Sequence, residues 1–382
     1  MKNKPSYSGK QEKTDKIFTF SKCFYKFFLL CRFFACIIFL HIIIFKKISK
    51  IIKVIKGKLF MFDESVHNIL KRKNQRFVVC VSACIFVFTI LRMLATRFYI
   101  DPDVHFYTDN TNIFIASFDY AVAACVVLIY VISFFVYKRK RENHKYNEIV
   151  DCFVQGTQTQ VFSASLTGFL FVAISVFQVY YFINPGYAVS LPLSERLSDY
   201  IQTYPFDFLL FFVSILSSVY FFKTAALNFD IGENIAPSEN AENEAEKISP
   251  SQKYSSAHII FSFMPIIWAF LNIFKCFFDM SKSVNSPVRI YELMSFLALS
   301  AYFVSEARMV VGRLETSRFF TFAYIAVIIV SVSALPNLIW SAFWILKTNN
   351  DQIIYAAEIS LVVYILSRVY SLIRYGRFLL QR

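Results

Sequence analysis

Glycine is scarce in this chain, with 8 among 382 residues. None falls in a P-loop pattern or in a Gly-rich dinucleotide turn, so nothing signals a phosphate cradle. No G-x-x-x-G occurs in any apolar stretch, which leaves close Gly-mediated helix contacts unsignalled. The five histidines, His41, His67, His105, His144 and His258, never form H-E-x-x-H, and no G-x-S-x-G is present. Both absences argue against a zinc intramembrane protease or a serine hydrolase. Charge is also sparse, at 17% Asp, Glu, Lys and Arg, where a soluble domain carries about a quarter. The loops are too short to fold as a separate catalytic domain, so any enzyme here has to work inside a membrane or at its surface. No cofactor is expected.

Cysteine is present but unorganised. Cys23, Cys31, Cys36, Cys80, Cys84, Cys125, Cys152 and Cys276 all avoid the loops expected outside the cell, which argues against a disulfide framework. Cys80 and Cys84 share a helix face, yet two thiols without His or carboxylate neighbours make a poor metal site. They read as small buried apolar residues.

Apolar residues make up 57% of the chain and aromatics 19%, and the mean hydropathy is +0.50. Eight long apolar stretches stand out: 77–96, 113–137, 161–183, 206–228, 257–278, 291–312, 319–345 and 353–373. Each is long enough to cross a bilayer with some tilt. The expected fold is an all-α polytopic bundle of eight spans, arranged as four helical hairpins.

The net charge of +14 does not point to nucleic acid, because the basic residues sit just outside the apolar runs, where they set topology. Lys71, Arg72, Lys73 and Arg76 precede the first span. Lys138, Arg139, Lys140 and Arg141 follow the second. Arg313 and Arg318 lie between the sixth and seventh, and Arg374, Arg377 and Arg382 follow the last. These ends are expected in the cytoplasm, with the hairpin tips outside and the C-terminus inside. The abundance of Phe, Ile, Lys, Tyr and Asn fits an AT-rich genome, which gives a bacterial plasma membrane as the expected location.

The chain divides into four parts. Residues 1–60 are basic, and 46–58 alternate Ile and Lys with helical spacing, a pattern that lies flat on anionic lipid headgroups. Residues 27–45 are nearly all apolar and give an optional ninth span; a start at Met61 would keep all eight others. Residues 61–228 hold four spans and 257–382 hold the other four. Between them, 229–256 is acidic and polar, the composition of a disordered cytoplasmic linker.

A weak internal repeat runs through the second half. Pro265, Trp268 and Lys275 in the fifth span echo Pro336, Trp340 and Lys347 around the seventh. Tyr291, Glu292, Ser295, Tyr302 and Ser305 in the sixth echo Tyr355, Glu358, Ser360, Tyr364 and Ser367 in the eighth. Both prolines lie within spans, where each frees a carbonyl and kinks its helix.

Few residues are out of place in a bilayer, and intramembrane charge is where function is first sought. Every even-numbered span carries a carboxylate near its outer end: Asp119, Asp207, Glu292 and Glu358. Either these face a vestibule on a cation path, or they are helix N-termini favoured by the dipole, which is the simpler explanation. Arg92 matches Asp119 in depth and is expected to pair with it; Lys275 is expected to meet Glu292 or Glu358. Glu306 and Arg308 in the sixth span and Arg368 in the eighth lie at the inner side, with Glu306 and Arg368 expected to bridge. In the loop after the first span, Asp101, Asp103, His105 and Asp109 have spacing that suits a divalent ion, although a polar loop explains them as well. The functional classes left open are a non-enzymatic membrane subunit or scaffold with an unknown membrane-protein partner, a transporter or channel for a small solute or ion, and a membrane-embedded lipid-modifying enzyme.

Overall fold

The computed structural model describes residues 64–101, 107–108, 113–137, 157–183, 195, 198, 201–202, 205–234, 255–278, 286–311, 316–343 and 352–375. The amphipathic segment at 46–58, the optional span at 27–45 and most of the acidic segment lie outside the described residues. All packing below belongs to the unit His67–Arg382.

The fold is all helical and polytopic. Nine helices are described: α1 (Glu64–Tyr99), α2 (Ile113–Tyr137), α3 (Gln158–Ile183), α4 (Pro205–Asn234), α5 (Ser256–Phe261), α6 (Met264–Phe278), α7 (Pro287–Val310), α8 (Thr316–Ala342) and α9 (Gln352–Tyr375). Among the described residues, seven helical stretches are long and apolar enough to cross a membrane: Val78–Tyr99, Gln158–Tyr180, Pro205–Phe229, Ser256–Phe278, Pro287–Val310, Ser317–Ala342 and Gln352–Ile373. They coincide with seven of the eight expected spans to within a few residues. The eighth is α2, whose described apolar stretch Ser117–Ser133 is shorter.

These segments are rich in Ile, Val and Phe, which are indifferent helix formers in water. In hydrocarbon every backbone N–H and C=O must find a partner within the segment, so helix is the outcome whatever the propensity. Polar residues mark the ends. Ser286 caps α7 by accepting from Arg289 N at 3.2 Å, with Pro287 in the first turn. Ser255 caps α5 by accepting from His258 N at 3.2 Å.

The fifth span is interrupted. α5 stops at Phe261, Ser262 and Phe263 form a turn, and α6 resumes at Met264. Pro265 has no N–H to bond the carbonyl four residues back. The chain tightens just before it, with Phe263 N donating to Ile260 O at 3.2 Å and Ser262 Oγ to Ile259 O at 2.6 Å. Pro336, by contrast, lies inside α8, which runs on unbroken.

Helix neighbours follow from the packing. α3 packs on α4, α4 on α6, α6 on α7, α7 on α8, α8 on α9, and α9 back on α3. These six close a ring in which helices from either side of the acidic segment touch directly. α2 packs on the outside of α8. Consequently 78% of the α8 span is buried but only 28% of the α1 span. The middle of the ring is filled by aromatic side chains. Phe171 meets Trp268 at 4.7 Å and Phe221 at 5.2 Å between centroids, Trp268 meets Phe296 at 5.7 Å, and Phe221 meets Tyr364 at 5.2 Å.

Successive spans alternate in direction. The first end of the bundle therefore gathers the C-termini of α1, α3, α6 and α8 with the N-termini of α2, α4, α7 and α9; the second end gathers the opposite termini.

Candidate functional site

Two buried polar clusters occupy the two ends. At the first end, Arg92 reaches from α1 and donates through Nη1 to the hydroxyl of Tyr107 at 2.9 Å. Tyr107 donates to Asp119 Oδ2 at 3.1 Å, and Tyr291 of α7 donates to Asp119 Oδ1 at 2.8 Å. The Arg92 guanidinium also lies 4.2 Å from the Tyr291 ring centroid, a cation–π arrangement. Arg92 and Asp119 thus belong to one network, and a tyrosine hydroxyl from the connecting loop mediates between them. Tyr107 is held there by a short antiparallel bridge to Ile100 and by Thr108 N donating to Tyr99 O at 2.7 Å. Burial raises the Tyr107 phenol above its ordinary value of 10.0, with Asp119 reinforcing the shift and Arg92 opposing it, so it stays a donor at neutral pH. Of the residues with metal-like spacing in this loop, Asp101 is described, while Asp103, His105 and Asp109 lie outside the described residues. Among the described residues no group of His, Cys, Asp and Glu could hold a metal ion.

The remaining first-end carboxylates are also engaged. Lys275 Nζ lies 2.8 Å from Asp207 Oδ1, because α6 packs against α4. Glu292 accepts from Tyr355, and Glu358 accepts from Ser295. These two bonds are reciprocal between α7 and α9, and they link the residues that the internal repeat singled out. Cys276 Sγ lies 3.9 Å from Glu292 Oε2, and buried Arg289 donates to Phe277 O. Trp340 Nε1 donates to Met93 O at 2.9 Å and ties α1 to α8.

At the second end, Glu306 of α7 and Arg368 of α9 meet. Arg368 Nε lies 3.4 Å from Glu306 Oε1, Tyr364 donates to the same oxygen at 2.6 Å, and Arg368 Nε donates to the Tyr364 hydroxyl at 3.1 Å. Glu306 Oε2 is buried without a hydrogen-bond partner among the described residues. Tyr302 faces Glu306 electrostatically, and His258 lies within the fields of Arg368 and Lys223. Arg308, two residues beyond Glu306 on α7, is half-buried. Ser133 and Thr321 bond at 2.9 Å, and Ser163 and Ser367 at 2.7 Å, joining α2 to α8 and α3 to α9.

Most of these charges are inaccessible. Exposure is 2% for Arg92, 2% for Glu292, 1% for Glu306, 0% for Glu358 and 1% for Arg368. Side chains so enclosed have no water-sized space beside them. The described cysteines are not buried as expected: Cys80 is exposed and Cys84, Cys125 and Cys276 are half-buried free thiols, with Cys84 and Cys125 interacting across the α1–α2 hairpin.

The internal repeat includes Tyr291, Tyr302 and Tyr364, but it does not mark their phenols as partners of charge, and the sequence does not single out Tyr107. Tyr107, Tyr291, Tyr302 and Tyr364 each contact or face a buried charge, and a helical signal existed for two of them: Tyr302 precedes Glu306 by four residues and Tyr364 precedes Arg368 by four, one helical turn. Lys223, inside the α4 span and 5.0 Å from the Phe261 ring centroid, was likewise legible as an intramembrane charge. No family model, curated protein or solved structure matches this chain.

Proposed function

We propose that this chain is a membrane subunit or scaffold without chemistry of its own, seated in a bacterial plasma membrane with the second end and the C-terminus in the cytoplasm. The observation that carries the reading is the enclosure of its intramembrane charges. Arg92, Glu292, Glu306, Glu358 and Arg368 are at most 2% exposed, and each is bonded within the bundle. Charge so placed joins helices. A solute path needs polar groups in contact with water. The orientation draws on the Lys and Arg residues flanking the second end, and the Ile–Lys pattern of residues 46–58 fits a role in holding anionic lipid headgroups.

A second reading, a transporter or channel for a small solute or ion, draws on the interruption at Ser262–Phe263, since broken spans often line transport sites. The two are separated with the full chain in lipid vesicles. Under the subunit reading, Glu306→Gln lowers the Tm in detergent, and ion-flux assays give the same trace for wild type, variant and empty vesicles. A wild-type flux that Glu306→Gln abolishes, with Tm unchanged, overturns it.

A further inference from the structure

The fourth and fifth spans carry a lysine at each end of their contact, and only one of the two is neutralised. The spans run side by side and antiparallel. Phe206 stacks on Phe278 at 5.5 Å, Lys275 meets Asp207 at 2.8 Å, and at the other end Lys223 Nζ lies 5.0 Å from the Phe261 ring centroid. Asp207 answers the charge of Lys275. Lys223 makes no salt bridge among the described residues; what it touches is an aromatic face, which attracts a cation without cancelling its charge.

The neighbourhood adds positive charge. Lys223 and Arg368 both act on the buried ring of His258. The carboxylate of this cluster, Glu306, is taken by Arg368 at 3.4 Å. Among the described side chains, two cations here share one anion.

Lys223 is also open to the lipid. It is half-buried, and Ala226 and Leu216 on the same flank of α4 and Ile260 of α5 are exposed. It lies six residues before Phe229, the end of its span, which is about 9 Å of helix. A lysine stem covers much of that depth, and a bilayer thins locally around an intramembrane charge.

We propose that Lys223, in the groove between α4 and α5 at the second end, binds the phosphate of an anionic phospholipid. An unneutralised cation below the headgroups is costly, and the phosphates of the adjoining leaflet are the anions within its reach. The ammonium serves a phosphate as a point charge. Anionic lipid is selected because a zwitterionic head brings its own cation beside the phosphate.

The test is thermal unfolding of the purified full chain, followed by tryptophan fluorescence, in vesicles of phosphatidylcholine with increasing phosphatidylglycerol. A ligand that binds only the folded state raises stability by mass action. Wild type is expected to gain Tm saturably with phosphatidylglycerol. Lys223→Met removes the charge that needs an anion, so in pure phosphatidylcholine it should be at least as stable as wild type, and it should lose most of the gain. Lys223→Arg should keep the gain. Sodium phosphate added to phosphatidylcholine vesicles, against sodium chloride of equal ionic strength, should not reproduce it, which separates a lipid headgroup from free phosphate. Equal gains for wild type and Lys223→Met overturn the proposal, because the lipid then acts on other basic groups. So does a Lys223→Met variant destabilised alike in both lipids, or a gain from free phosphate that matches the lipid's. A wild type that gains nothing also overturns it, and leaves a carboxylate on a partner's helix as the counter-charge.

Discussion

Arg368 Nε stands 3.4 Å from Glu306 Oε1, a contact between α9 and α7 that leaves both side chains almost wholly enclosed. Removing one member of a buried pair strands the other, at a cost of about 3–5 kcal/mol. Removing both strands neither. Glu306→Gln and Arg368→Gln are therefore each expected to destabilise strongly, and the double variant by much less than their sum. Measured as a double-mutant cycle on unfolding in detergent, the coupling should exceed about 1 kcal/mol. Additive losses would mean that the two groups do not depend on each other.

Tyr107→Phe removes the hydroxyl that connects Arg92 to Asp119 and leaves the ring. The expected loss is roughly 1–2 kcal/mol, in the range for bonds to charged groups and for polar contacts in membranes. The phenol is raised above 10.0 in the folded chain, so its contribution is complete below 10.0 and fades as pH climbs through the higher folded value. The Tm gap between wild type and Tyr107→Phe should be constant between about pH 7 and 9 and narrow only in stronger alkali. A gap that closes near neutrality contradicts this arrangement.

Depth and sequence neighbourhood made part of this network legible. Arg92 and Asp119 sit at matching heights on consecutive antiparallel helices, and Glu306 and Arg368 share a height at the second end, so hydropathy and charge placement sufficed to group them. The insertion of Tyr107 was not legible, because it depends on the path of a loop and no periodicity encodes one. Lys275 shows the same limit. Height pointed to Glu292 or Glu358 as its partner, and the packing of α6 on α4 gives it Asp207 instead. The fifth span breaks just before Pro265 while α8 runs through Pro336; both prolines are buried, and a mid-span proline alone does not tell the two outcomes apart.

Gly168 sets the approach of α3 to α4. A Cβ there would lie 3.0 Å from Phe222 Cε1 and 3.1 Å from Cδ1 and Cζ. Gly168→Ala needs only a small swing of the ring, and the gain in helix propensity of about 1 kcal/mol offsets it. Gly168→Leu has no such room and should cost about 1–3 kcal/mol by overpacking. Adding Phe222→Ala should return much of that loss. If Gly168→Leu unfolds at the wild-type temperature, the close approach of these two helices is wrong.

Purification of the chain from its native membrane at endogenous expression, with quantitative mass spectrometry of what accompanies it, tests the subunit reading most directly. The account predicts a membrane-protein partner recovered in fixed stoichiometry, and retained when the detergent is exchanged. Recovery of this chain alone, together with solute flux in lipid vesicles that depends on Asp119 or Glu306, would contradict it.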